Sequence, residues 1–151
     1  MDFQILRENG FTIEHSPACL VPGYLMVTPI IPTPTFGQLP GPARRELGRI
    51  LECASMAIKL TIAPVKLHCA HFGDDAAPLR YHLFPRTPRV TCDFLGAFPN
   101  QEDLLLRPLL LHWARSHYRA PAPVVWQAVA PVIPALRDAF LLAARARSPL
   151  T

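Results

Sequence analysis

The chain has 151 residues, half of them hydrophobic and 17% charged, with a formal net charge of +4. That length fits one domain with a sizeable core, and that hydrophobicity excludes a chain disordered throughout. The basic residues are scattered with no dense Lys/Arg run, which argues against bulk nucleic-acid binding, while an anionic small molecule suits the balance.

The elements follow in chain order. Residues 3–6 and 11–15 are apolar-rich and flank Glu8-Asn9-Gly10. Asn-Gly tolerates positive φ at both positions, so an N-terminal β-hairpin is predicted. Residues 17–23 read as a loop and 24–29 as a third strand. Of the 18 prolines, most concentrate in residues 17–42 and 121–134; they predict rigid loops and short elements, and residues 29–40 cannot hold regular structure for long. Gly41-Pro42 opens a helix running to about Leu60, with Leu47, Ile50, Leu51, Ala54 and Ile58 at helical spacing for one buried face. Residues 65–72 read as a fourth strand, Gly73-Asp74-Asp75 as a turn, and 79–85 as a fifth strand antiparallel to the fourth. Beyond Arg89 the character changes. Residues 103–118 are leucine-dense and helical, with Pro108 expected to kink the helix or begin it anew. Residues 124–147 are a second helical region interrupted by Pro131 and Pro134. The expected layout is a βββαββ unit over residues 1–92 and a helical C-terminal extension over 93–151, packed on the same domain.

Four cysteines, Cys19, Cys53, Cys69 and Cys92, form no CxxC pair. Asp2 and Glu8 interrupt any apolar run that would serve as a signal peptide, and no stretch approaches the ~18 apolar residues of a membrane span. A cytoplasmic protein with reduced, buried thiols and no membrane contact is expected.

The fifth strand carries the chemistry. Strand alternation places Arg80, His82 and Phe84 on one face and Leu79, Tyr81 and Leu83 on the other. A positive charge and an imidazole thus stand about 7 Å apart on one pleated surface, a pair suited to phosphate or another anion. On the fourth strand Cys69 and His71 share a face opposite to His68; two such ligands do not make a metal site, and no metal or cofactor is expected. His71 is a candidate substitute base for the same pocket region. The plainer alternatives are a structural role for His82, an ion pair of Arg80 with Asp74 or Asp75, and packing for His112 and His117 beside Trp113 and Tyr118.

The run Leu79-Arg80-Tyr81-His82-Leu83-Phe84-Pro85-Arg86 resembles the signature of the histidine triad (HIT) family, His-φ-His-φ-His-φ-φ followed by Pro-Arg, where φ is apolar. Val21-Pro22-Gly23-Tyr24-Leu25-Met26-Val27-Thr28-Pro29 resembles the family's strand that begins Val-Pro-Gly-His. The likeness spans roughly residues 1–90. It implies an α+β, HIT-like fold with a five-stranded antiparallel sheet and one long helix, usually homodimeric through that helix and a strand. It also implies nucleotide substrates, attacked at phosphorus by the middle histidine of the triad.

The triad positions fall on Pro78, Arg80 and His82, and Tyr24 stands where a histidine often follows Pro-Gly. A guanidinium stays protonated and has no free lone pair, so Arg80 cannot attack phosphorus. The expectation is a phosphate- or nucleotide-binding protein that lacks the family's nucleophile. Arg80 and His82 would hold phosphate, and Tyr24 and Ser16 would line the base or ribose side. Two alternatives stand beside it. One is a diverged hydrolase or transferase using His82 or His71 as base with Arg80. The other is a dimeric interaction scaffold whose leucine-rich C-terminal half meets a partner.

Overall fold

The computed structural model describes residues 1–72 and 78–146. Its centre is a five-stranded antiparallel sheet in the order β1-β2-β3-β5-β4. The strands are β1 (Gln4–Glu8), β2 (Phe11–His15), β3 (Leu25–Pro29), β4 (Lys66–His71) and β5 (Tyr81–Arg86). One long helix, α1 (Gly41–Ile62), joins β3 to β4. The expected α+β architecture is therefore present. Asn9 and Gly10 take φ of 47° and 88°, the two consecutive positive values that a tight hairpin turn matched to strand twist demands. The expected turn at Gly73-Asp74-Asp75 lies outside the described residues, and so do the carboxyl partners considered for Arg80.

The strand bounds shift by a residue or two. β3 begins at Leu25 rather than Tyr24, and β5 begins at Tyr81, which leaves Arg80 just outside the ladder. Tyr24 belongs instead to the turn before β3, which is tied to the end of β2: Tyr24 O accepts from Ser16 N at 2.9 Å, Gly23 N donates to His15 Nε2 at 3.1 Å, and Tyr24 N donates to Val21 O at 3.3 Å. Gly23 has φ of +80°, and a Cβ there would lie 2.5 Å from Ile62 Cγ1 at the end of α1. Only glycine combines that backbone sign with so close an approach.

The C-terminal half differs from expectation in two places. Helix α2 (Pro88–Ala97) was not expected and runs across position 92. Its start is built by ordinary means: Thr87 Oγ1 accepts from Val90 N at 3.3 Å, and Pro88 occupies the first turn, where its missing N–H costs nothing. The leucine-dense stretch divides into a 3-10 segment (Glu102–Leu106) and α3 (Pro108–His117), so Pro108 begins a helix anew, one of the two outcomes expected of it. Last come α4 (Ala122–Val129) and α5 (Ile133–Ala146). Pro134 sits in the first turn of α5 and starts it; only Pro131 interrupts.

Three layers result. On one face, Leu25, Val27 and Leu83 pack with Phe11 and Ile13 against Ile50, Ala54, Ala57 and Ile58 of α1 and Leu136 and Phe140 of α5. On the other, Tyr24, Met26 and Phe84 pack against Val90 and Phe94 of α2 and Leu110, Leu111 and Ala114 of α3. The helical extension thus covers both faces. Arg137 of α5 also covers the outer edge of β1, where its Nε and Nη2 donate to the carbonyls of Ile5 (2.9 Å) and Gln4 (2.8 Å). Among the described residues no single helix is long and apolar enough to cross a membrane. The bent pair α4–α5 has the length and composition together, but it turns by 64° and buries Val125, Val129, Ile133, Leu136 and Phe140 in the core.

Candidate functional site

His82 lies in the middle of β5, opposite Met26 of β3 and Ala70 of β4. Its side chain points to the α2/α3 face, as the alternation predicts, and is almost wholly buried. Its Nδ1 is 2.8 Å from the hydroxyl of Tyr24, and the ring stands between those of Tyr24 and Phe72, with centroids 5.9 and 5.7 Å away. Burial, then the charges of Arg115, Arg80 and His71, push the imidazole down to about 4. Burial likewise pushes Tyr24 up to about 12. Both groups are therefore neutral at pH 7. In the tautomer whose Nδ1 is unprotonated, the phenol donates to it and Nε2 carries the ring proton.

Arg80 is exposed, just beyond the end of the ladder. It lines a cavity of about 260 Å³ with Arg7, Thr12, Glu14 and Thr28, on the same sheet face as His82 but further along the strands. Thr28 Oγ1 is buried there and takes no hydrogen bond from the described residues. Pro78, at the first triad position, is exposed and has no side-chain donor. Tyr24 and Ser16 line a different cavity, of about 330 Å³. His71 is exposed on the opposite face of the sheet, its ring 5.3 Å from that of Tyr81. Of the five residues expected to form one pocket, the structure joins His82 to Tyr24 and Tyr24 to Ser16. It sets Arg80 and His71 apart from them.

The cavity of Tyr24 and Ser16 has a second wall that sequence reasoning missed. It is built by His112, Arg115, Ser116 and Arg119, from α3 and the residues just after it. The two walls are held together by backbone bonds: Leu20 N donates to Tyr118 O (2.9 Å) and Ala120 N to Ala18 O (3.2 Å), around a bridge between Cys19 and Arg119. Tyr118 in turn donates to Asp93 of α2 at 2.6 Å. Cys19 is buried in this wall, and burial pushes its thiol up, so it is held as the unreactive thiol. Nothing near Arg115 in sequence marks it as part of the site, because only the packing of α3 on the sheet brings it to Tyr24.

No family model matches the chain, and no curated protein matches it. Solved structures do. A histidine triad nucleotide-binding protein of Sulfolobus tokodaii, described as hypothetical, is similar over all of this chain and 91% of its own, with a TM-score of 0.65 at 11% identity. A histidine triad protein of Bradyrhizobium japonicum is similar over 92% of this chain and 90% of its own, with a TM-score of 0.60 at 19% identity. A HIT-like protein of Bartonella henselae, described as involved in cell-cycle regulation and holding an unknown ligand, covers 92% of this chain and 87% of its own, with a TM-score of 0.60 at 11% identity. At such identities the likeness is one of fold, and the fold is HIT-like.

Proposed function

We propose that this HIT-like chain binds a phosphate-bearing small molecule, a nucleotide in the first instance, and lacks the covalent chemistry of the histidine triad. One observation carries the reading: the position that the resemblance gives to the attacking histidine is held by Arg80, whose side chain is a fixed cation with no lone pair to offer phosphorus. Arg80 is exposed, where a ligand oxygen can reach it. His82 supports the same reading. A neutral imidazole tied to Tyr24 and held at about 4 is a poor proton acceptor near pH 7. That weighs against the hydrolase alternative through His82, and the placement of His71 on the opposite face weighs against it through His71.

A homodimer belongs to this reading. It is supported by exposed Met56 and Leu60 on α1 and Val65 before β4, the strand at the open edge of the sheet. Light scattering should then give twice the chain mass.

The function is tested by calorimetry with AMP and GMP, repeated on Arg80→Ala, and by mass spectrometry after incubation with a dinucleoside polyphosphate. Measurable heat that Arg80→Ala reduces, with no mass added to the protein, is the expected result. A nucleotidyl adduct on the chain would overturn the reading. Turnover lost in His82→Ala without any adduct would replace it with the hydrolase.

A further inference from the structure

The cleft between the loop of residues 16–19 and α3 has a composition unlike that of the Arg80 cavity. It holds about 330 Å³, at the small end of ligand sites, and no carboxylate lines it. The Arg80 cavity, by contrast, includes Glu14. Several other arginines are engaged: Arg49 with Glu8 and Glu46, Arg89 with Asp93, Arg107 with Asp103, and Arg137 with strand carbonyls. Arg115 and Arg119 make no ion pair or hydrogen bond with the described residues through their side chains. The hydroxyls of Ser16 and Ser116 likewise make no hydrogen bond with the described residues, and Ser16, almost wholly buried, lines the cleft. We propose that this cleft is a seat for a phosphate monoester, its oxygens gripped by the guanidinium groups of Arg115 and Arg119 and met from below by the Ser16 hydroxyl.

The chemistry favours a phosphate dianion over a carboxylate. Two guanidinium forks offer several N–H donors to one compact group of oxygens, and hydroxyl donors fill the remaining lone pairs. The field in the cleft is positive and uncompensated: Arg115 acts on Tyr24, His82 and Cys19 alike, in each case favouring the form with more negative or less positive charge. The cleft is also held in shape before any ligand arrives, through the backbone bonds between residues 18–20 and 118–120, so little ordering cost attends binding. Basic residues at the C-terminal end of α3 suit the helix dipole, which accounts for the sign of Arg115. It does not account for Arg119 beyond the helix end, nor for serine hydroxyls facing the same space. The seat is separate from Arg80, so either can fail without the other.

The test is thermal unfolding of the full chain against inorganic phosphate and ribose 5-phosphate, at ionic strength fixed with sodium chloride. Wild type should melt higher as either ligand is added. Arg115→Ala and Arg119→Ala should each weaken binding on the order of ten-fold or more, with melting in phosphate-free buffer near that of wild type, while Arg80→Ala keeps the response. A role confined to the helix dipole would instead lower the melting of Arg115→Ala without phosphate and leave the ligand response intact; that overturns the proposal. So does a wild-type chain indifferent to both ligands, or a response removed by Arg80→Ala alone. Should the alanine variants not fold, Arg115→Lys and Arg119→Lys keep the charge and lose the fork. They should bind several-fold more weakly, and full-strength binding would count against the seat.

Discussion

The two faces of the sheet are built to different rules. Towards α1 and α5 the strands present Leu25, Val27 and Leu83, and the layer between is mostly aliphatic and aromatic, with buried His15 at the end of β2 bonded to the backbone of Ser16 and Gly23. Towards α2 and α3 the same strands present Met26, His82 and Phe84, with Tyr24 just before β3, and an imidazole and a phenol are buried among the apolar groups. One residue of offset along β5 separates the two. A mostly apolar face stabilises chiefly by area and shape. A face that buries His82 must keep it neutral and hydrogen-bonded, and it does so at the spot where the fold's triad strand passes. The difference teaches that the polar layer is retained against the general preference for apolar packing, and that it is the place to look for function.

The largest effect should come from the mostly apolar face. Phe140 is fully buried between α5 and the sheet, and Phe140→Ala should cost about 3–5 kcal/mol of unfolding free energy. Urea unfolding checks it. A cost under about 1 kcal/mol would mean that α5 does not hold the core and that the extension is dispensable. Next comes the loop that enters the polar face. Gly23→Ala must hold a left-handed backbone and push into Ile62, at about 2–3 kcal/mol. In the background Ile62→Ala the penalty should shrink, because the steric part is removed and the backbone part stays; a double-mutant cycle reads that coupling.

The third comparison is made with protons. His82 has a folded pKa of about 4, below the ordinary 6.5. The unfolded chain therefore binds more protons than the folded one between those values. Stability is full above about pH 6.5 and is lost as pH falls towards 4, by about 2 kcal/mol between pH 7 and 5 from this group. Buried His15, lowered in the same direction chiefly by burial, adds to the slope. Denaturant midpoints at the two pH values check it, and His82→Gln should flatten the dependence. An unchanged slope in that variant would assign the titration to His15 and to His68, which burial also lowers.

Much of this was legible in the chain. The hairpin at Asn9-Gly10, the amphipathic run of α1 and the alternation of β5 follow from local chemistry, so they could be predicted. Helix α2 had its signal too, a Thr-Pro start followed by Val90 and Phe94 at helical spacing, and it was hidden by its position at the end of the family-like region. The site was only half legible. Alternation says which face His82 and Arg80 share, but not that Arg80 falls outside the ladder at the surface while His82 is covered. Arg115 and Arg119 had no local signal whatever. They reach Tyr24 across some ninety residues of sequence, through the packing of α3, and no periodicity records a contact of that kind.

The smallest predicted effect isolates the polar pair itself. Tyr24→Phe leaves the ring packing against Phe84 in place (centroids 5.3 Å apart) and deletes only the hydroxyl that bonds Nδ1 of His82. A buried ring nitrogen is then left without its partner. The cost should be about 1–2 kcal/mol, measured by urea unfolding at pH 7. The pH arm is more informative than the size. Without the phenol's O–H, Nδ1 has lost the donor that favours the unprotonated ring, so the His82 pKa should rise and the loss of stability between pH 7 and 5 should lessen. Nitrogen chemical shifts of the imidazole follow that pKa directly. If the pKa stays near 4 in Tyr24→Phe, burial and the charges of Arg115, Arg80 and His71 hold the ring neutral without the phenol, and the polar face is defended by burial and charge rather than by the hydrogen bond.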